Sequence, residues 1–173
     1  MSRTSLSVQE ALRFANHDFL NHLHLIQMNL DLNRVDEAKQ IIGSISKQCN
    51  IFSNTNKLGL PRTTEWLQTF EWRYPAISLK LISDVTVPLD VQWDEAIEQY
   101  LEKTILHVYD TLDPFTEQQQ QITLKCQPNH FSLEAKLIGK WDAECSKFDN
   151  SKLTIHTFTS TNTSWHYVLT IKE

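Results

Sequence analysis

The first sixty residues repeat apolar side chains at the alternating three- and four-residue spacing of an α-helix. The repeats fall into two stretches, Val8, Leu12, Ala15, Phe19, Leu23, Ile26 and Leu30, then Val35, Ala38, Ile42, Ile45, Cys49 and Phe52. Asn33 and Arg34 stand between the stretches and fit a tight turn. The pattern therefore predicts a helical hairpin over residues 7–57, with Ser7 as N-cap and Glu10 completing a capping box.

The first helix carries a second apolar set, which consists of Phe14, Leu25, Met28 and Leu32. At 100° per residue this set lies about 120–180° from the first. Because a lone hairpin cannot cover two wide apolar faces, we expect two chains to join as a dimeric four-helix bundle. The alternative is that the C-terminal half of the same chain covers the second face.

The pattern changes near Gly59 and Pro61, and we expect two domains, residues 1–60 and 61–173. The first carries six Lys/Arg and five Asp/Glu, the second ten and sixteen. After Pro61 the sequence predicts a short helix over 64–74, a strand from Ile77, an amphipathic helix over 94–112, and two hairpins of alternating strands, one turning at Pro128-Asn129. The predicted fold class is α+β, with an antiparallel meander in the second half.

Composition excludes several classes of function. The three glycines, Gly43, Gly59 and Gly139, are isolated, so the chain has no glycine-rich phosphate loop or dinucleotide fingerprint. Three scattered cysteines argue against a disulfide framework or a cysteine zinc site. A net charge of −5 argues against nucleic acid as a partner. We find no secretory signal and no apolar run long enough to span a membrane, and expect a cytoplasmic protein.

His17 is the strongest candidate for chemistry. It points about 160° away from the first apolar set and shares the outward face with Arg13, Asn21 and His24. A neutral imidazole is a good nucleophile, and the adjacent Asp18 could orient it or accept a proton. Two other interpretations stay open: an ordinary surface histidine, and a metal site built from His17, Asn21 and His24.

The stretch from Phe14 to Ile26 (FANHDFLNHLHLI) resembles the phospho-acceptor segment H-D-x-x-N-x-L-x-x-I of the histidine phosphotransferases of the stage-0 sporulation phosphorelay and related sensor kinases. The resemblance extends through the hairpin to the short α+β half. It implies a dimeric four-helix bundle and a C-terminal domain related to a degenerate histidine-kinase ATPase domain. It also makes His17 the phospho-acceptor, with Asp18 and Asn21 in supporting roles.

The chain lacks a nucleotide-binding feature that a kinase needs and a phosphotransferase does not. The stretch Lys103–Asp110, which stands where an Asn-rich nucleotide box would lie, contains no Asn. We therefore expect no ATP-dependent kinase activity, and no cofactor or metal in this chain, with Mg²⁺ carried by the partner response regulator.

The resemblance predicts transfer of a phosphoryl group from one response regulator, through phosphohistidine, to a second regulator that controls sporulation initiation. We expect regulators to dock on Arg13, Leu20, His24 and Met28, although Leu20 and Met28 could instead pack on a neighbouring helix. The alternatives are a non-catalytic dimeric adaptor and a degenerate sensor kinase that still binds nucleotide.

Overall fold

The computed structural model describes residues 6–144, 148 and 150–172. The helices and strands in this part of the chain are α1 (Val8–Asp31), α2 (Val35–Asn56), α3 (Pro61–Arg73), β1 (Ile77–Val85), α4 (Asp94–Tyr109), β2 (Gln118–Gln127), β3 (His130–Ile138), β4 (Leu153–Ser160) and β5 (Ser164–Ile171). The chain divides into two compact units, Arg3–Ser53 (the hairpin unit) and Asn54–Glu173 (the sheet unit). Helices followed by a helix-and-sheet unit confirm the α+β fold class.

The ends of the hairpin helices follow local rules. The Ser7 side chain accepts a hydrogen bond from the Glu10 amide at 3.2 Å, and the Glu10 carboxylate accepts one from the Ser7 amide at 2.9 Å, so the predicted capping box is confirmed. The Ser7 hydroxyl also donates to the Glu10 carboxylate at 2.7 Å, and this bond, followed by the bond from the Ser7 amide, lowers the pKa of Glu10. The turn between α1 and α2 places Asn33 at a positive φ of 57°, a conformation that Asn tolerates better than most residues.

The partly buried side of the hairpin differs from the predicted apolar stripe. In α1 the buried or half-buried residues are Ala11, Phe14, Asp18, His22, Ile26 and Asn29, and in α2 they include Ala38, Ile41 and Ile45. We call this row the seam. The first apolar set of α1 lies about 80° away from it. Val8 is 78% exposed and Phe19 61% exposed, so this set does not form the interior of the hairpin.

The sheet unit contains a mixed five-stranded sheet with the order β1-β2-β3-β5-β4. β1 and β2 are parallel and are connected through α4, whereas the other neighbours are antiparallel. The predicted antiparallel meander was therefore wrong: β3 pairs with β5 rather than with β4. The two local hairpins are confirmed, and Asn129 in the first turn has a φ of 61°.

Helix α4 ends at Tyr109, three residues before the predicted end at Leu112. The reason is that Leu112 forms a β-bridge with Trp141, which competes with continuation of the helix. The tract Gln118–Gln121 belongs to β2 rather than to a loop. Gln118 is buried because its amide bonds to backbone atoms on both sides, including the Lys140 amide at 3.0 Å.

Polar groups of α4 fix the position of α3. The buried Asp94 carboxylate accepts hydrogen bonds from the amides of Arg62 and Thr63, both at 2.8 Å, and so caps the first turn of α3. About two turns further along α4, Glu102 accepts hydrogen bonds from Trp66 and Arg73 of α3 and from Tyr74, which follows α3. A carboxylate buried among donors is stabilised by those bonds, so α3 and α4 form one rigid layer.

Candidate functional site

The predicted site residues lie along one outward face of α1. All are exposed except Asp18, which is half-buried beside the seam; the set is Arg13, His17, Asp18, Leu20, Asn21, His24 and Met28. Leu20 is 52% and Met28 50% exposed. The face spans about 22 Å of helix at 1.5 Å per residue. The structure therefore presents the acceptor candidate and the docking candidates on a continuous surface.

His17 stands at the middle of this face with its side chain 70% exposed. Its Nδ1 atom lies 3.4 Å from Asp18 Oδ1 and 3.2 Å from Asn21 Nδ2. Both contacts therefore reach the same ring nitrogen, and neither involves Nε2. Nε2 points away from these two partners and is accessible to an incoming group.

The two contacts favour different protonation states of the ring. When Nδ1 carries the proton it donates to the Asp18 carboxylate, which leaves the lone pair on Nε2. When Nδ1 is bare it accepts from the Asn21 amide, and Nε2 carries the proton. Asp18 therefore favours the tautomer in which Nε2 is the nucleophile.

Arg13 is the cation of this face. Its guanidinium lies 5.4 Å from the centroid of the Phe14 ring, within the range of a cation–π contact. Phe14 is half-buried at the seam, so it ties the arginine stem to the rigid part of the hairpin. Sequence spacing placed Arg13 one turn before His17 but did not reveal this contact, because neighbouring residues point in different directions on a helix.

The metal interpretation finds no support in the part of the chain that the structure describes. No group of three or more His, Cys, Asp or Glu side chains there could hold a metal ion. Asn21 instead directs its amide nitrogen to His17, which is the orientation of a hydrogen-bond partner rather than of a ligand.

In the sheet unit, the stretch Lys103–Asp110, which we compared with the Asn-rich box of kinases, makes contacts with other residues of the same unit. Thr104 Oγ1 lies 2.9 Å from the buried Tyr167 hydroxyl, and His107 Nε2 lies 2.6 Å from the Glu144 carbonyl oxygen. The His107 ring also packs edge-to-face against Phe148 at 5.3 Å. Burial raises the pKa of Tyr167, so its hydroxyl stays neutral. Thr104 thus joins α4 to β5, and His107 joins α4 to the connection between β3 and β4.

None of the helices over the described residues combines the length and the apolar character that crossing a bilayer requires.

Comparison with known proteins bears on the hairpin first. Residues 1–58 match the family described as the Sensor_kinase_SpoOB-type, alpha-helical domain. Among solved structures, the histidine kinase AdeS of Acinetobacter baumannii aligns with a TM-score of 0.41 and 11% identity, covering 90% of this chain and 96% of that chain. No curated protein sequence matches the chain significantly.

Proposed function

We propose that the chain is a histidine phosphotransferase. The premise is that residues 1–58, which match a SpoOB-type sensor-kinase helical domain, belong to a two-component signalling protein. It takes a phosphoryl group from an aspartyl-phosphate response regulator onto His17. It then passes the group to an aspartate of a second regulator, in a cytoplasmic phosphorelay of the kind that controls sporulation initiation. The observation that carries the proposal is the exposed His17 ring, whose Nδ1 is occupied by two partners while Nε2 stays open.

The chemistry balances without a further reactant. The lone pair of Nε2 attacks phosphorus in line, the bond between phosphorus and the donor's carboxylate oxygen breaks, and the donor aspartate leaves as a carboxylate. The ring becomes an Nε2-phosphorylated imidazolium that keeps its Nδ1 proton. In the second half, the acceptor carboxylate attacks the same phosphorus and the nitrogen–phosphorus bond breaks, which regenerates neutral His17.

Asp18 and Asn21 act as positioning residues in this scheme. The carboxylate at 3.4 Å accepts the Nδ1 proton's hydrogen bond and offsets the positive charge that the ring gains on phosphorylation. Asn21 lies beside Nδ1 from the next turn of the helix, and because its amide nitrogen can donate only to a bare Nδ1, in this scheme it restricts rotation of the ring by contact rather than by a hydrogen bond. Because a transfer of this kind depends on geometry more than on covalent machinery of the protein, a small rotation of the ring should slow both steps.

The outward face supports the docking of a regulator. Leu20 and Met28 expose apolar surface on either side of His17, and Arg13 and His24 supply polar contacts. A small apolar patch with a polar rim suits a transient interface. Donor and acceptor use the same face, since both must bring an aspartate within reach of one nitrogen.

The exposed apolar residues of the hairpin unit support a homodimer. The α1 stripe of Val8, Phe19 and Leu23 and the α2 residues Val35 and Ile42 are each about 45% exposed or more. On each helix this apolar surface lies about a quarter turn from the seam. A helix in a four-helix bundle contacts two neighbours at about that angle, so a second hairpin can cover both surfaces and leave the His17 face free.

The donor in this proposal is a regulator rather than ATP. This is supported by the stretch compared above with the Asn box of a kinase, where Thr104 and His107 make contacts with Tyr167 and with Glu144 of the same unit. The chain needs no cofactor of its own, and the Mg²⁺ that neutralises the phosphoryl oxygens belongs to the acidic pocket of the regulator.

A transfer assay tests the proposal. A regulator is phosphorylated with radiolabelled acetyl phosphate, freed of donor, and mixed with the chain. We expect a labelled chain whose phosphate is labile in acid and stable in base. His17→Gln should abolish the label, while the matched His130→Gln variant, which changes an exposed histidine of the sheet unit, should still become labelled. Label that persists in His17→Gln would contradict the proposal.

The same variants separate the alternative functions. Normal signalling by a His17→Ala protein would identify an adaptor, and ATP binding measured by calorimetry would identify a degenerate kinase. Asp18→Asn should keep the acceptor but slow transfer by about 10-fold or more, because the neutral amide stabilises the cationic ring less well. A rate equal to that of the unchanged protein would remove Asp18 from the mechanism.

A further inference from the structure

The two edges of the sheet are treated differently by the rest of the chain. Along β1, the Leu79 amide donates to the Glu71 carboxylate at 2.7 Å. At the end of the same strand the Asn54 side chain accepts from the Val85 amide at 2.9 Å and donates to the Val85 carbonyl oxygen at 3.2 Å. Side-chain bonds thus cover this edge, as is usual for an exposed strand.

The opposite edge, β4, receives no such cover at residues 155–157 from the residues that the structure describes. The Lys172 amide donates to the Lys152 carbonyl at 3.1 Å, and this fixes which residues of β4 bond to β5. Because that pattern alternates along an antiparallel pair, the backbone groups of Ile155 and Thr157 point away from the sheet. Asn150 bonds to the Leu153 amide at 3.1 Å, but no such contact from the described residues reaches Ile155 or Thr157.

A groove of about 210 Å³ runs along this open edge. Its floor is formed by the side chains on the helix-covered face of β4, and its wall includes Tyr100 of α4 and the Phe148 ring, which lie 6.4 Å apart in an edge-to-face pair. An added strand would direct every second side chain into this groove, since side chains alternate between the faces of a sheet. The edge therefore offers backbone bonds together with a groove of mixed polar and apolar lining for side chains.

The charged side chains that the structure describes beside the groove are positive. Lys103 lies over the Phe148 ring at 4.3 Å, and Lys152 and Lys172 flank the start of β4. Lys172 Nζ also donates to the Asn150 carbonyl. None of the described residues that line the groove is acidic, and the neighbouring Asp149 lies outside the described residues. In a chain of net charge −5, this edge stands out as a site for negative charge.

We infer that β4 is a docking edge for an acidic, extended peptide segment of a partner protein, which adds as a strand beside Leu153–Thr157. Main-chain bonds to Ile155 and Thr157 hold the segment, a side chain of the segment enters the groove beside the Tyr100–Phe148 pair, and acidic side chains meet the lysines. Such strand addition gives affinity through the backbone and specificity through alternate side chains. The β-bulge near Phe158 ends the usable stretch. This inference does not depend on the phosphotransfer proposal.

The test uses the full chain and a capped seven-residue peptide, EVEVEVE, carrying a fluorescent label. We expect saturable binding by fluorescence anisotropy, with amide shifts of Ile155 and Thr157 in a ¹⁵N-labelled sample. Ile155→Pro removes one outward donor without removing a bond to β5, and should weaken binding about tenfold or more. The matched Ile155→Val variant keeps the donor and should bind normally.

A second variant keeps the test decisive if Ile155→Pro does not fold. Lys152→Glu leaves the backbone unchanged and should weaken the acidic peptide while improving binding of KVKVKVK. Equal binding of the two peptides by the unchanged chain, or shifts confined to residues outside β4, would overturn the inference. The inference would also be overturned if the free chain had the solution mass of a dimer and Ile155→Pro returned it to the mass of a monomer. In that case β4 would pair with a second copy of the chain.

Discussion

Replacing Glu102 by Gln should destabilise the sheet unit more than any change to a surface ion pair. The Glu102 side chain is 12% exposed and receives three donors. One oxygen accepts from the Trp66 ring nitrogen at 2.8 Å and from the Tyr74 hydroxyl, and the other accepts from Arg73 at 3.0 Å. A glutamine has one acceptor oxygen in place of two, so at least one donor must face an amide N–H group.

The size of the effect follows from these contacts. A hydrogen bond to a charged acceptor contributes about 1.5–3 kcal/mol, and removing one member of a buried ion pair costs about 3–5 kcal/mol. Because the amide keeps part of the network, we expect Glu102→Gln to lower the free energy of unfolding by about 3 kcal/mol. In an Arg73→Met background the cost should fall by about 1–2 kcal/mol, since the cation is already gone.

Urea denaturation followed by tryptophan fluorescence measures this cost. All five tryptophans of the chain follow residue 53, so the signal reports the sheet unit. Glu95→Gln on the same helix is the matched control, because its pair with Arg62 at 3.2 Å has both side chains more than half exposed and should contribute less than about 0.5 kcal/mol. A cost below about 1 kcal/mol for Glu102→Gln would refute the reasoning.

Two further predictions concern glycine positions and pH. Gly139→Ala should destabilise the chain by about 2 kcal/mol or more in thermal melts, because a Cβ there would lie 1.7 Å from the Gln118 side-chain oxygen. Gly43→Ala, in an open part of α2, should instead stabilise the chain by up to about 1 kcal/mol. A stabilised Gly139→Ala variant and a destabilised Gly43→Ala variant would contradict both predictions. The Asp113–Lys140 pair at 2.7 Å lowers the pKa of Asp113 and raises the pKa of Lys140. Its contribution, measured as the stability difference from Asp113→Asn across pH, should be present at neutral pH, vanish as pH falls through the lowered aspartate pKa, and vanish as pH rises through the raised lysine pKa.

Local pattern predicted the elements well and their arrangement less well. The helical period and the capping box identified the hairpin, and residues 1–58 match a helical domain of the family that the His17 segment resembles. The order of the strands depends on contacts distant in sequence, so no local period reveals that β5 lies between β3 and β4. The seam was also missed, because polar residues such as Asp18 and Asn29 occupy it.

Spacing along one helix predicted which side chains of the candidate site share a face. It could not predict that Asp18 and Asn21 reach the same nitrogen of His17, because this depends on side-chain rotamers rather than on the 100° step. The role of each residue in phosphotransfer stays a prediction for the assays above.

Helix α1 alone supplies His17, Asp18 and Asn21, and a connection of only three residues, 32–34, joins it to its own partner helix. In the proposed mechanism each polypeptide therefore supplies all three of these side chains itself. In a mixture of intact and His17→Gln subunits, activity should decline in simple proportion to the fraction of damaged copies. An allele that loses the imidazole would then behave as recessive in a cell that also makes the intact protein.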